Sequence, residues 1–291
     1  MKLAVLPKCF MRQLVVDRTL SLFDWIEMAA DLPINGLEIY DGFLLSHDAS
    51  YLDKVRESLD RRHLEMPMFC VSPDFTWPTL KDRRREIERE KRMIDVTAHL
   101  GGKFCRVLSG QGRPEVTRQQ GARWVIECIH ECVEYAAQKN IVLSMENHYK
   151  DDYWKYPEFA QRQEVFLEIV NALEAPNFGV QFDPSNALIA GENPIELLEK
   201  VKHRVVTMHA SDRHLSPGHS LAELRELENS VGYARILMHG KIGAGLNDYP
   251  LIFRILKDAG FDGWVSIEDG MNGMEELQAS AEFLRPLMGL S

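Results

Sequence analysis

The sequence lacks the features that would place a protein outside the cytoplasm or in a membrane. Its five cysteines form no Cys-x-x-Cys pair, and we expect reduced thiols in the core of a cytoplasmic protein. The apolar run near the start is too short for a signal peptide and is interrupted by Pro7. No stretch approaches the roughly 20 apolar residues that a membrane helix needs, so we expect no membrane contact.

An excess of positive charge is also missing. The formal net charge is −10, which disfavours binding to nucleic acid or to an anionic membrane surface. The run Lys81–Arg92 (KDRRREIEREKR) could form a nucleic-acid patch, but it mixes both signs, and Ile87 and Met93 indicate a buried side. We interpret this run as the solvated face of a helix, and we expect no nucleic-acid partner.

The sequence does contain a regular alternation of two kinds of segment. Its 291 residues are 45% hydrophobic, which is enough for a sizeable core. Apolar runs predict strands at Lys2–Leu6, Gly36–Tyr40, Met66–Val71, Lys103–Leu108, Ile141–Glu146, Phe178–Asp183, Val205–His209 and Gly263–Glu268. Helical periodicity predicts helices at Leu20–Ala30, Tyr51–Arg62, Arg83–Leu100, Glu115–Gln138, Gln163–Leu173, Pro194–Lys200, Pro250–Ala259 and Glu275–Leu287.

Strict alternation of strands and helices predicts parallel strands, and a count of eight favours closure into a (β/α)8 TIM barrel of the α/β class. A doubly wound open sheet is the alternative, but it usually has fewer strands and a Gly-rich turn after the first strand, which is absent. We predict one barrel domain over residues 1–291. A long loop insertion is predicted after the seventh strand, at about 210–249, with a helical patch at Leu221–Glu228.

Residues of metal-ligand type end the last four predicted strands. These residues are Glu146, Asp183, His209 and Glu268. Because side chains alternate along a strand, each shares its face with the residue two positions earlier; those residues are Ser144, Gln181, Thr207 and Ser266. Barrel interiors are mostly apolar, so a polar stripe over four neighbouring strands predicts a functional site at the C-terminal mouth.

Three carboxylates held close together repel one another and are costly to bury without a cation. A divalent metal resolves this repulsion, and histidine is an acceptable fourth ligand. The oxygen-rich set suits Mn²⁺ first, with Mg²⁺, Co²⁺ or Zn²⁺ as alternatives. Separate salt bridges with Arg106, Arg204 or Arg213 are the competing interpretation.

A substrate is expected between the metal and the other half of the mouth. The candidates there include Glu38, Tyr40, Ser72 and Trp77. A buried Glu38 needs a partner, and two roles are open for it: supporting a metal ligand from behind, or binding a substrate hydroxyl. Trp77 forms either an apolar wall or ordinary loop packing. Loop residues His148, Asn186 and Arg213 complete the candidate substrate-binding set.

The motifs MENH, FDPSN, MHASDR and GWVSIEDG, with HGKIGAGLNDYP before the last unit, resemble the sugar isomerase/epimerase superfamily with the xylose-isomerase-like barrel. The resemblance covers nearly the whole chain. In tagatose-type epimerases of this superfamily, a Glu, an Asp, a His and a Glu bind one divalent metal, which implies this role for Glu146, Asp183, His209 and Glu268. It further implies that the two glutamates, Glu146 and Glu268, are catalytic and exchange the substrate proton.

The chain departs from its relatives at two places. The epimerases and the related repair enzyme endonuclease IV have a histidine three residues after the aspartate, where this chain has Asn186. Endonuclease IV also has histidines where this chain has Ser72 and Ser109. A three-zinc cluster and phosphodiester cleavage are therefore not expected.

The leading functional hypothesis is a divalent-metal-dependent isomerase or epimerase of a small polyhydroxy substrate, a ketose or keto-sugar. A metal that grips two adjacent oxygens stabilises an enediolate, while one carboxylate removes the proton and another returns it. The alternative enzyme is a metal-dependent dehydratase or lyase acting on a keto-inositol or a 3-keto-glycoside. A non-catalytic sugar-binding barrel is the third hypothesis. A homo-oligomer is compatible with the sequence, which does not specify one.

Overall fold

The structure is a computed structural model that describes residues 1–151, 153–227, 236–268 and 271–290. Its main sheet contains nine parallel strands, which we number in chain order. They are β1 (Lys2–Val5), β2 (Gly36–Leu37), β3 (Ile39–Tyr40), β4 (Met68–Cys70), β5 (Phe104–Val107), β6 (Val142–Glu146), β7 (Phe178–Phe182), β8 (Val205–Ala210) and β11 (Trp264–Ile267). Two further strands, β9 (Arg213–Leu215) and β10 (Leu237–His239), form a separate antiparallel pair.

The sheet closes into a barrel at Glu38. Its order is β2-β1-β11-β8-β7-β6-β5-β4-β3, and β2 and β3 are consecutive parts of the single strand predicted at Gly36–Tyr40. The first part pairs with β1 and the second with β4, so one stretch of chain joins both edges of the sheet. The predicted TIM barrel is confirmed.

The helices surround the barrel in the predicted order. They are α1 (Leu22–Ala29), α2 (Ala49–Arg61), α3 (Leu80–His99), α4 (Arg118–Gln138), α5 (Gln163–Ala172), α6 (Pro184–Ile189), α7 (Pro194–Val201), α8 (Leu221–Leu227), α9 (Tyr249–Asp258) and α10 (Met274–Met288). Local chemistry fixes several starts: the Asn193 side chain accepts from Ile195 N at 2.9 Å, directly before a proline in the first turn. The short helix α6 was absent from the sequence-based prediction. None of the described helices is long and apolar enough to cross a membrane.

The charged run Lys81–Arg92 lies on α3, as predicted, but its charges are not all solvated. Arg83, Glu86 and Glu90 are buried. The guanidinium of Arg83 stacks on Trp124, 4.2 Å from the ring centroid, and Glu90 contacts Cys105 of β5. The solvated-face interpretation is therefore correct only for the remaining part of the run.

The strands are staggered around the barrel. Glu146 is level with Gln181, whereas His209 is level with Ser266. Asp183 therefore lies two residues beyond the partner of Glu146, and Glu268 lies two residues beyond the partner of His209. This stagger arises because strands must tilt to close a barrel. A bulge lies between β7 and β8 at Val180 and Gln181.

The predicted insertion at about 210–249 has its own structure. The strands β9 and β10 and the helix α8 lie in it, and neither strand was predicted. Asp212 holds the returning loop, since its carboxylate accepts from Gly243 N at 2.9 Å and from Gly245 N at 3.1 Å. The predicted helical patch ended at Glu228, which lies outside the described residues; α8 ends at Leu227.

Candidate functional site

Four side chains meet at the C-terminal mouth of the barrel. One ligand atom from each of Glu146, Asp183, His209 and Glu268 lies within 4.8 Å of the others. All four residues are buried. The strands β6 and β8 position Glu146 and His209 directly, while Asp183 and Glu268 come one residue after β7 and β11. The structure thus brings together the whole predicted metal-ligand set.

Asp183 has a second, local role that fixes its orientation. It is the N-cap of α6, and its Oδ1 accepts from Ser185 N at 2.7 Å and from Asn186 N at 3.1 Å. The hydroxyl of Ser211 donates to the same oxygen at 2.8 Å. Three donors on Oδ1 leave Oδ2 as the oxygen for a metal. The backbone is also fixed, since Asp183 N donates to Asn147 Oδ1 at 2.9 Å.

Glu146 is held by groups on both of its oxygens. Arg106 Nη1 donates to Oε2 at 2.7 Å, while Asn186 Nδ2 donates to Oε1 at 3.3 Å. Burial favours a higher pKa for Glu146, but the charges of His209 and Arg106 outweigh burial and lower the pKa to about 2. Glu146 is therefore a carboxylate at neutral pH.

The salt bridge of Arg106 with Glu146 was one of the contacts offered as an alternative to a metal, and it is present. It engages a single oxygen of one acid, so it does not replace a cation for the whole set. Arg204 is not such a partner: its guanidinium donates to the carbonyls of Val170 and Leu173, at 2.5 and 2.8 Å.

His209 divides its two ring nitrogens between two groups of residues. Nδ1 lies 3.1 Å from Glu146 Oε1 and 3.7 Å from Glu268 Oε2. Nε2 lies 2.7 Å from Glu38 Oε1. Burial favours a lower pKa for His209, but the surrounding carboxylates, Glu38 first, raise the pKa well above its ordinary value.

Glu268 completes the set from the last barrel strand. Lys8 Nζ lies 3.4 Å from its Oε1. Burial favours a higher pKa for Glu268, but the charges of Lys8 and His209 hold the pKa well below its ordinary range. Burial and the negative charges of Glu268 and Glu146 instead raise the pKa of Asp183 to about 7. The cluster thus has one acid that is costly to ionise without a further cation.

This donor set fits a divalent metal. Three carboxylates and one imidazole nitrogen converge at distances compatible with a shared ion. Oxygen-rich sets with a single nitrogen are typical of Mn²⁺ and Mg²⁺ rather than of structural Zn²⁺. A divalent ion beside Asp183 would oppose the burial and the neighbouring carboxylates that raise its pKa.

A cavity opens beside the four candidate ligands. Tyr40, His148, Arg106, Lys8 and Glu268 are among the residues that line it. His148 Nδ1 bonds Glu158 Oε2 at 2.9 Å, and the other Glu158 oxygen accepts from the hydroxyl and the backbone N–H of Ser109, both at 2.8 Å. A fully buried carboxylate therefore fixes the imidazole at the cavity wall.

The remaining candidate substrate-binding residues fall into two groups. Ser72 and Glu38 lie directly behind the cavity: Ser72 accepts from Arg106 Nη2 at 3.1 Å, and Glu38 contacts His209. Trp77 and Arg213 are not among the described residues that line the cavity. The ring of Trp77 packs on the Arg113 guanidinium, 4.0 Å from its centroid, and Arg213 is buried at the start of β9. A substrate-binding role for these residues stays a prediction.

Sequence reasoning missed two residues of the site, Lys8 and Glu158, and gave a third, Arg106, only as a salt-bridge partner in place of a metal. Arg106 shares the inward face of its strand with Phe104, and a charged residue at that position indicates a place in the site. Lys8 follows β1 at the mouth, and a charged residue just after a barrel strand is a similar signal. Glu158 lies on the loop after β6, and nothing in the sequence indicates its contact with His148.

Comparison with known proteins agrees with the fold. The model of a family described as "Xylose isomerase-like TIM barrel" matches residues 26–287. An uncharacterized protein of Methanocaldococcus jannaschii is 30% identical over 239 residues, which are 78% of this chain and 71% of that protein. An inosose dehydratase of Bacillus thuringiensis is 20% identical over 258 residues, which are 81% of each protein.

Solved structures share the architecture at low identity. A D-tagatose 3-epimerase-like protein superposes with a TM-score of 0.76 and 21% identity, covering 99% of this chain and 97% of that one. The IOLI protein with a binding zinc atom superposes with a TM-score of 0.75 and 17% identity, covering 99% and 98%. The resemblance stated from the sequence motifs is confirmed.

Proposed function

Since the chain belongs to the xylose isomerase-like TIM-barrel family, we propose that it is a divalent-metal-dependent isomerase or epimerase of a small ketose or keto-sugar. The observation that supports this proposal most is the convergence of Glu146, Asp183, His209 and Glu268. Similarity to a D-tagatose 3-epimerase-like structure supports it, and similarity to a zinc-containing structure supports a divalent ion. We propose Mn²⁺ first, because of the oxygen-rich donor set.

The four residues would hold the ion, which would acidify the C–H bond beside the substrate carbonyl. We assign proton removal to Glu268, because its contacts with Lys8 at 3.4 Å and with His209 at 3.7 Å are long. Glu146 is held more firmly by Arg106 and Asn186. In an isomerisation, Glu268 would return the same proton to the neighbouring carbon. In an epimerisation, Glu146 would first take up a proton from solvent and deliver it to the other face, while Glu268 releases its proton to solvent.

The cavity residues would bind and orient the substrate. Tyr40 and His148 line the cavity and can bond hydroxyl groups, and the Glu158 contact would keep His148 in one orientation. Asn186 bonds Glu146 and stands where the epimerases have a histidine. Arg213 and Trp77 would act only if the loops around them move. Small polyhydroxy compounds are thus the proposed substrates. We propose that the enzyme is cytoplasmic.

A dehydratase or lyase acting on a keto-inositol or 3-keto-glycoside is the second candidate. The similarity to an inosose dehydratase along 81% of the chain favours it. The buried Glu158–His148 pair at the cavity wall also favours it, since an oriented imidazole could protonate a departing hydroxyl. Both reactions begin by removing a proton beside a carbonyl.

The test is incubation of Mn²⁺-loaded protein in D₂O with ketoses, keto-inositols and 3-keto-glycosides, followed by NMR and mass spectrometry. Isomerisation or epimerisation predicts deuterium beside the carbonyl with the molecular formula retained. Loss of water or of an aglycone would favour the lyase instead. Absence of exchange with every compound by metal-loaded protein would reject both enzymes and favour a sugar-binding barrel.

A further inference from the structure

Glu38 lies at the point where the barrel closes, between β2 and β3. Its backbone N–H donates to Val5 O at 3.0 Å, which keeps the chain in the sheet, and the side chain enters the barrel interior. It is completely buried. The residue therefore cannot meet a substrate without a large movement of the barrel wall. A buried carboxylate needs hydrogen-bond partners inside the protein.

Those contacts lead to His209 across the barrel. Glu38 Oε1 lies 2.7 Å from His209 Nε2 and also accepts from the thiol of Cys70. The strand β8, which provides His209, is separated from Glu38 by β1 and β11 in the sheet order. The contact thus spans the interior, immediately beneath the four candidate metal ligands.

If His209 binds a metal, its two ring nitrogens must differ in protonation. A nitrogen that binds a metal must present a lone pair, and the only ring nitrogen close to Glu146 and Glu268 is Nδ1. The proton of a neutral imidazole must then be on Nε2. Because a carboxylate only accepts hydrogen bonds, Glu38 favours this tautomer.

Gln181 is the competing neighbour at the same nitrogen. Its amide lies 2.6 Å from His209 Nε2. An amide N–H donated to Nε2 would place the ring proton on Nδ1, where it blocks a metal. A half-turn of the amide presents its oxygen instead, which suits a protonated Nε2. The Glu38 carboxylate has no N–H to donate, so it determines that the ring proton of His209 is on Nε2.

We propose that Glu38 is a positioning residue that holds His209 with Nε2 protonated and Nδ1 directed to the metal. This inference rests on the proposed metal site. Carboxylates behind ligating histidines fix the ring and raise its basicity, and their loss typically costs about 10- to 100-fold in metal affinity. Glu38 is therefore assigned to support of the ligand rather than to binding of a substrate hydroxyl.

Substitution of Glu38 by methionine tests the inference, because methionine has a similar length and offers His209 no carboxylate or amide oxygen. Mn²⁺ affinity of Glu38→Met, measured by competition with a fluorescent chelator, should fall about 10- to 100-fold. Glu90→Met is the matched control: Glu90 is equally buried but contacts Cys105 on the outside of the barrel, and the Mn²⁺ affinity of this variant should stay at the wild-type value. Gln181→Met should change the affinity by less than about threefold, since Glu38 alone fixes the tautomer.

A spectroscopic measurement on unmutated protein gives an independent test. In protein with ¹⁵N-labelled histidine, the ring that responds to Zn²⁺ should show a protonated Nε2 and a metal-bound Nδ1. A metal-bound Nε2, or unchanged Mn²⁺ affinity in Glu38→Met, would overturn the inference while leaving the proposed function intact. Failure of wild-type protein to bind Mn²⁺ or Zn²⁺ would overturn both.

Discussion

The two halves of the barrel mouth differ in charge although similar strands form them. On one side, which we call the acidic half, the ends of β6, β7, β8 and β11 provide Glu146, Asp183, His209 and Glu268. On the other side, which we call the cationic half, the loop after β1 provides Lys8 and the strand β5 provides Arg106. Each cation lies against one acid of the first half: Arg106 at 2.7 Å from Glu146 and Lys8 at 3.4 Å from Glu268.

The comparison shows which acid the protein itself does not neutralise. The two outer acids, Glu146 and Glu268, have a lowered pKa, because His209 and one of the cations compensate each of them. Among the described contacts of the Asp183 side chain, the hydrogen-bond donors are neutral. Its pKa is raised to about 7. A metal bound by Asp183 would add the positive charge that its described hydrogen-bond donors do not provide.

The largest expected effect is on catalysis in the acidic half. Glu268→Gln removes the proposed base and should lower turnover and deuterium exchange by about 10²- to 10⁴-fold. Glu65→Gln makes the same change in an exposed residue that pairs with Lys2, near the start of β1, and should keep wild-type turnover. Equal rates for Glu268→Gln and the wild type would remove Glu268 from the mechanism.

The next effect concerns the stability that the cationic half contributes. Arg106→Met leaves buried Glu146 without its partner, and should lower the free energy of unfolding by about 3–5 kcal/mol in metal-free protein. Urea denaturation measures this change. Added Mn²⁺ should reduce the loss, because the metal compensates the same carboxylate.

Arg118→Met is the control for that substitution. Arg118 forms exposed salt bridges with Glu164 and Glu168, and solvent screens such pairs so that they contribute little to stability. An equally small effect for Arg106→Met would mean that the two halves of the mouth are not coupled.

Acid should weaken metal binding through the central acid and the imidazole. The pKa of Asp183 is raised to about 7 and that of His209 is raised well above its ordinary value. Both groups therefore hold protons at pH 6, and a metal must displace them. Mn²⁺ affinity, measured by calorimetry, should fall at least about tenfold from pH 8 to pH 6. An affinity independent of pH would contradict this assignment.

The smallest expected effect belongs to Lys8. Its side chain is partly exposed, so its interaction with Glu268 is screened. Lys8→Met removes a positive charge beside a metal ligand and should strengthen Mn²⁺ binding by less than about fivefold. Lys2→Met, which breaks an exposed pair near the start of β1, should leave binding unchanged. Weaker binding by Lys8→Met would show that Lys8 supports the site.

The sequence was sufficient to predict the barrel and the residues that line the acidic half of the mouth. Short apolar runs that end in Glu146, Asp183, His209 and Glu268 predict both the strand and the candidate ligand, because a strand end fixes where its last side chain lies. The strand prediction at Gly36–Tyr40 was also useful, although the interruption at Glu38 depends on barrel closure, which no local pattern encodes.

The cationic half could be predicted only in part. Contacts such as Arg106 with Glu146 and Glu38 with His209 join strands that are distant in sequence, and their pairing depends on barrel tilt and side-chain length. The helix α6 had a local signal, since Asp183-Pro184 is a typical helix start.

Metal stoichiometry in wild-type protein and in Asp183→Asn tests the central claim most directly. Asparagine retains an oxygen for the α6 cap but removes a negative charge from the proposed metal site. We predict one Mn²⁺ per chain in the wild type, and an affinity lower by more than about 100-fold in Asp183→Asn. The control Asp262→Asn, at an exposed residue that pairs with the N-terminus, should bind as the wild type does. A wild-type protein that binds no divalent ion, or an Asp183→Asn variant with wild-type affinity, would contradict the account.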